Sequence, residues 1–250
     1  MRNAVSVFIL DVTDSSKFKN GLELSEYLSK WQNVIANTNG TRKIAVKHRM
    51  GDEIICLVEG YPSALMIANY MIYNWEYQDH MPYFGVSCGL IEEEIDQINI
   101  ETWNNILVKN ARLANDKMKE NKNRKKLIEI NPLNDNENSE IELMNILLQF
   151  QGAAILEQTA KQREILALFS LLRSQKTIAA RIGKSTSTIS GHYTAGKIDL
   201  IIESAESLYH ILTLKEPLSI MGNNQINTVQ KMFEEELRRN ITLFQFGQEY

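Results

Sequence analysis

Several things are scarce in this 250-residue chain. There are two cysteines, Cys56 and Cys88, and no Cys/His cluster with the spacing of a zinc site. Both cysteines fall in expected strands, which reads as free thiols in a reducing compartment rather than a disulfide scaffold. Nothing approaches the roughly 18–20 consecutive apolar residues that a membrane span needs. The opening run, Met1 to Leu10, is too short for a signal peptide and breaks at Asp11, so a cytoplasmic protein without a membrane partner is expected. Overall positive charge is also missing, since the formal net charge is -4. That excludes a chain that coats nucleic acid along its whole surface, and any basic footprint must be local. There is no internal repeat and no glycine-rich phosphate loop after Asp11.

What is present divides in two. Residues 1–130 alternate short β-branched runs with helical patterns. Strands are expected at about 4–10, 42–49, 53–58, 83–90 and 125–130, and helices at 21–36, 62–77 and 99–121. The first four strands and first two helices follow the order β-α-β-β-α-β. This predicts a ferredoxin-like antiparallel sheet with helices packed on one face, within an α+β fold class. Residues 131–139, Asn-Pro-Leu-Asn-Asp-Asn-Glu-Asn-Ser, are polar and read as a linker.

Beyond the linker the pattern is all-helical. Helices are expected at 140–150, 152–157, 160–173, 175–182, 186–195 and 198–213, and a last one at 224–240 in a tail spanning 216–250. Ile226, Val229, Phe233 and Leu237 form one stripe on that last helix. Such a stripe serves either as a dimer seam or as packing onto its own domain.

Residues 175–194 carry the sharpest signal. Ile178, Ala179 and Ile182 share one face of a short helix, Gly183 permits a sharp turn, and Ser185 can cap a second helix that carries Ile189 inward. A small Ala four residues before the turn glycine and an Ile six after it is the spacing of a helix-turn-helix, because two helices cross closely only over a small side chain. Residues 161–198 add seven Lys or Arg against one acid, Glu164.

The expected ligand is double-stranded DNA. Ser185, Thr186, Ser187 and Ser190 face base edges or phosphates. Lys176, Arg181, Lys184 and Lys197 serve phosphates, and Gln175 and Thr177 add contacts at the first helix's N-terminus. His192 reads as a packing residue, and Tyr193 is ambiguous. One such unit has few base contacts and operators usually mirror two-fold symmetry, so a homodimer is expected.

In the first half, Asp11 ends the first strand and Asp52 sits in the turn between the second and third. A carboxylate pair there suits magnesium, which often binds through one or two carboxylates plus phosphates. The bland alternative is that both Asp residues cap strand ends.

Ile9-Leu-Asp-Val-Thr, Gly51-Asp52-Glu53 and Phe84-Gly-Val-Ser-Cys-Gly resemble the class III nucleotidyl cyclase palm and, more distantly, the GGDEF domain. That resemblance implies metals held by Asp11 and Asp52. The long helix departs from it: Val108 stands four residues before Arg112, where cyclases carry Asn. Beyond the two acids no catalytic set is found.

With Ala111-Arg112, Thr159-Ala-Lys-Gln162 and Thr177 to Ser190 added, residues 1 to about 200 resemble the SatD family, which joins a cyclase-like domain to a helix-turn-helix. The resemblance implies a DNA-linked regulator whose first domain dimerises or senses a small molecule. The competing expectation is a nucleotide-binding or nucleotidyl cyclase enzyme with magnesium at Asp11 and Asp52. The expected division is 1–130, 131–139, 140–215 and 216–250.

Overall fold

The computed structural model describes residues 2–18, 20–49, 51–120, 125–131, 138–217 and 223–246, with Asn138 and residues 223–226 described by backbone alone. The fold is mixed α+β. The strands are β1 (Asn3–Val12), β2 (Ile44–His48), β3 (Ile54–Glu59), β4 (Pro82–Ile91) and β5 (Ile128–Ile130). Between them lie α1 (Gly21–Ala36), α2 (Ser63–Tyr73) and α3 (Ile106–Glu120). The strands form one sheet in the order β2-β3-β1-β4-β5. The first four are antiparallel to their neighbours, and β5 joins β4 in parallel.

Strand alternation sorts the side chains of β1 onto two faces. Phe8, Leu10 and Val12 join the apolar cluster that also holds Leu24, Leu28 and Trp31 of α1, with α2 packed on β1 and α1 on β2. Val5, Val7 and Ile9 point the other way and pack with Leu107 and Ala111 of α3. The sheet is therefore covered on both faces, not one. A βαββαβ order does not say where a third helix goes, whereas the apolar residues on both sides of β1 and β3 require a cover on each.

The second half consists of α4 (Asn138–Leu156), α5 (Ala160–Leu172), α6 (Gln175–Ile182), α7 (Thr186–Ala195), α8 (Ile198–Lys215) and α9 (Asn223–Phe246). The break expected near residue 151 is absent, and α4 runs through it. Gly152 instead permits a close approach, since a Cβ there would lie 2.7 Å from the carbonyl oxygen of Lys125. Asn145, on the same helix, donates to the Ile130 carbonyl and accepts from the Ile130 amide, both at 2.8 Å, and so closes the outer edge of β5.

The two halves meet across α2, every residue of which is buried. A helix apolar all round must be covered all round. The sheet covers one side, and α5, α8 and α9 cover the other. Asn69 of α2 donates to the Tyr209 hydroxyl of α8 at 2.9 Å within this contact. One apolar core consequently runs from Phe8 to Ile241. Most of the expected linker, residues 132–137, lies outside the described residues.

The tail stripe has a definite use. Phe233, Leu237 and Ile241 are fully buried against this chain's own helices. Phe244 packs on Trp31 at 5.2 Å between ring centroids, and Glu236 accepts from the amides of Gly40 and Thr41. That stripe is not available as a dimer seam, because α1, α2 and α5 already occupy it. The side chain of Ile226 lies outside the described residues.

Candidate functional site

The helix pair α6–α7 is built by local signals that all act together. Ser174 caps α6 by accepting from the Thr177 amide at 3.2 Å. Gly183 ends it in the left-handed region, φ 63 and ψ 38, while the Lys184 amide donates back to the Ala179 carbonyl at 3.0 Å. Ser185 caps α7 by accepting from the Thr188 amide at 3.2 Å. Inside the angle, Ile178, Ala179 and Ile189 are buried. Behind it, α5 opens on a capping box between Thr159 and Gln162 and presents Phe169 edge-on to Tyr193. Tyr193 is thus a packing residue, and His192 is half-buried beside it.

The outer surface of the pair is polar and open. Lys176, Thr177, Arg181, Lys184, Ser185, Thr186, Ser187, Ser190 and Lys197 are exposed, and Gln175 is half-buried. No Asp or Glu occurs between Glu164 and Asp199. The Ser185 hydroxyl is partly committed, since it caps the helix and also lies 2.9 Å from the Ser187 oxygen and 2.8 Å from the Thr188 oxygen.

The basic charge summed along the chain is not all presented there. Arg163 is buried against the sulfur of Met81, and burial lowers its pKa to about 10. Arg173 turns inward to Glu206 at 2.9 Å and Glu234 at 2.6 Å. Lys161 pairs with Glu164, Lys197 lies 3.8 Å from Glu157, and the Arg181 guanidinium stacks 4.0 Å over the Phe246 ring. Lys176 and Lys184 make no ion pair among the described residues. A sum over sequence counts charge without regard to the direction in which each side chain leaves its helix.

A second polar site lies at the far edge of the sheet half. It is an open cavity of about 670 Å³ lined by Asp11, Asp52, Glu53, Arg49, Arg112 and Lys119, with Ser15, Ser16 and Tyr83 at its margin. Asp11 follows Ile9 on the α3 face of β1. The Leu10↔Ile54 pairing sets the β2–β3 turn beside it, where Gly51 has φ 103 and the Arg49 amide donates to the Glu53 carbonyl at 2.9 Å.

Helix α3 supplies the cations. It can lie close because β4 carries Gly85, where a Cβ would fall 2.0 Å from the Ala111 carbonyl oxygen. Ser87 fastens it further by donating to the Leu107 carbonyl at 2.6 Å. Two turns apart, Arg112 and Lys119 share a flank. Arg112 grips Glu53 with two bonds at 3.0 and 3.2 Å, and Arg49 holds the same carboxylate at 2.9 Å.

Lys119 Nζ stands 2.5 Å from Asp11. Burial pushes the Asp11 carboxyl up to about 6. The charge and hydrogen bond of Asp52 add to that, and Lys119 opposes it. Asp11 and Asp52 do come together, as expected. Lys119 and Arg49 were not anticipated, although the seven-residue interval from Arg112 to Lys119 was readable.

The fit to magnesium is poor. Asp11, Asp14, Asp52 and Glu53 all line the cavity, but among the described residues no three His, Cys, Asp or Glu side chains form a group that could hold a metal ion. Of the two carboxylates that do meet, Asp11 already has an ammonium where a resident cation would sit. Comparisons with protein families, with characterised proteins and with solved structures return no match for this chain.

Proposed function

We propose that this protein is a DNA-binding regulator of the SatD type, in which α6 and α7 act as a helix-turn-helix and α7 enters the major groove. The carrying observation is the α6–Gly183–α7 unit: an inner angle filled by Ile178, Ala179 and Ile189, and an outer face free of carboxylates. The N-terminal end of α7 presents Thr186, Ser187 and Ser190, which pair with several bases and so discriminate modestly. Lys176 and Lys184 serve phosphates and fix register without reading sequence. Modest discrimination per copy favours a homodimer on a two-fold operator. The sheet half then serves as a dimerising or ligand-sensing module. The antiparallel order β2-β3-β1-β4 supports reading it as a ferredoxin-like, cyclase-palm relative.

The test is selection of bound sequences from a random duplex pool, followed by titration over a salt series. Lys184→Ala should weaken binding to all sequences alike and lower the slope of log K against log salt by about one unit. An unchanged slope would remove Lys184, and with it this docking, from the interface.

One observation favours a second reading, a nucleotide-binding enzyme: Asp11, Asp52, Arg49, Arg112 and Lys119 converge on one open cavity. Incubation with ATP or GTP plus magnesium or manganese tests it. Product formation that disappears in Asp52→Asn would place this reading above the first.

A further inference from the structure

We infer that the outer face of α4 is the seam through which two copies of this chain associate, antiparallel about a two-fold axis at the height of Leu148 along the helix. Helix α4 is apolar on two faces. Its inner face buries Ile141, Met144, Leu148 and Ile155 in the core. Its outer face leaves Leu143 67%, Ile146 44% and Phe150 70% exposed, three large side chains at helical spacing on one stripe. Single exposed apolar residues are ordinary, but a contiguous stripe of them marks a contact surface.

The occupant is indicated by how the stripe complements itself. Toward the C-terminal end of α4 lies a hollow of about 460 Å³, lined by Ala153 and Ala154 with Ile146 and Phe150 of the stripe, and by Lys125, Lys197 and Glu157. Toward the N-terminal end, the stripe carries Leu143 as a projecting knob, and Glu142 stands at its flank, about 100° round the helix, as an exposed anion. Leu148 is the midpoint. Glu142 and Ala154 each lie six residues from it, about 9 Å along the axis in opposite directions.

Antiparallel pairing about that point sets Leu143 of one copy into the alanine-lined hollow of the other. It also brings Glu142 beside Lys125 and Lys197, while Ile146 and Phe150 meet across the axis. Glu157 partly offsets Lys197 in the isolated chain, and the hollow retains a net positive charge from its two lysines. A partner of unrelated shape would have no reason to match both ends, and a two-fold copy matches both by symmetry.

The inference takes from the proposed function only the need for two copies. Its test uses no DNA, so either idea can fail alone. Sedimentation equilibrium of the full chain should show a monomer–dimer equilibrium. Leu143→Asp with Phe150→Asp should raise the dissociation constant by at least roughly 30-fold, the scale set by losing a central anchor. Both side chains are exposed, so circular dichroism should match the wild type, and thermal unfolding should match it at concentrations where the wild type is monomeric. Glu142→Lys should weaken association, and adding Lys197→Glu should restore it.

A wild type that is monomeric at all concentrations would overturn the inference, and so would an apolar-to-Asp variant that still dimerises. Failure of the charge exchange to restore association would overturn the antiparallel register.

Discussion

The Asp11 carboxyl makes stability depend on pH in a direction opposite to that of most acids. Its side chain is only 11% exposed beside Asp52 and Lys119, and its pKa rises from the ordinary 3.8 to about 6. The folded protein therefore holds this proton more tightly than the unfolded chain does. The resulting contribution is fully present below about pH 3.8 and is lost as pH rises through about 6. Two pH units at about 1.4 kcal/mol each put the cost of the ionised form near 3 kcal/mol at neutral pH.

Asp11→Asn removes the titration while keeping the shape. Urea unfolding of both proteins from pH 4.5 to 8 isolates the effect, because groups remote from Asp11 titrate equally in the two and only its neighbours Asp52 and Lys119 are coupled to it. The stability difference, variant minus wild type, should grow by about 2 to 3 kcal/mol across that range. The Lys119 ion pair forms only with the ionised carboxylate, so its contribution is already contained in the value of about 6 and adds no separate offset. A difference that stays flat across the range, or falls, would refute the assigned burial and the Asp11–Asp52 proximity together.

Two further predictions bear on the elements that position each site. Gly85→Ala places a Cβ against the backbone of α3, where no side chain can swing aside, so thermal unfolding should show a loss of roughly 1–3 kcal/mol. At Gly183 the backbone is left-handed with open space around the missing Cβ; Gly183→Val should cost about 1–2 kcal/mol by chemical denaturation, and Gly183→Asn distinctly less.

The helix pair was readable almost to the residue, and the reason is local. Ser174, Gly183 and Ser185 act within one turn of themselves, and the limits of α6 and α7 agree with those expected from caps and periodicity. The meeting of Asp11 and Asp52 was also readable, because it needs only strand order. Arg163 and Arg173 were misjudged as surface charge. Their directions depend on Met81 in one case and on Glu206 and Glu234 in the other, partners 33 to 82 residues distant in the chain. The tail stripe could have faced a second copy or its own domain, and periodicity is the same for both.

The amino-acid sequence by itself determined the element types, the sharp turn at Gly183, the polar outer face of α7 and the alternation that puts Asp11 on one side of β1. Each of these is set by interactions within a few residues, which a linear reading captures. Only the tertiary structure decided that α3 covers the second face of the sheet, that α2 is shared by both halves, that α9 folds back onto α1, and that Lys119 rests on Asp11. Those outcomes turn on which apolar faces can be buried together. That choice is made among surfaces far apart in the chain, and it carries the charged side chains along with it.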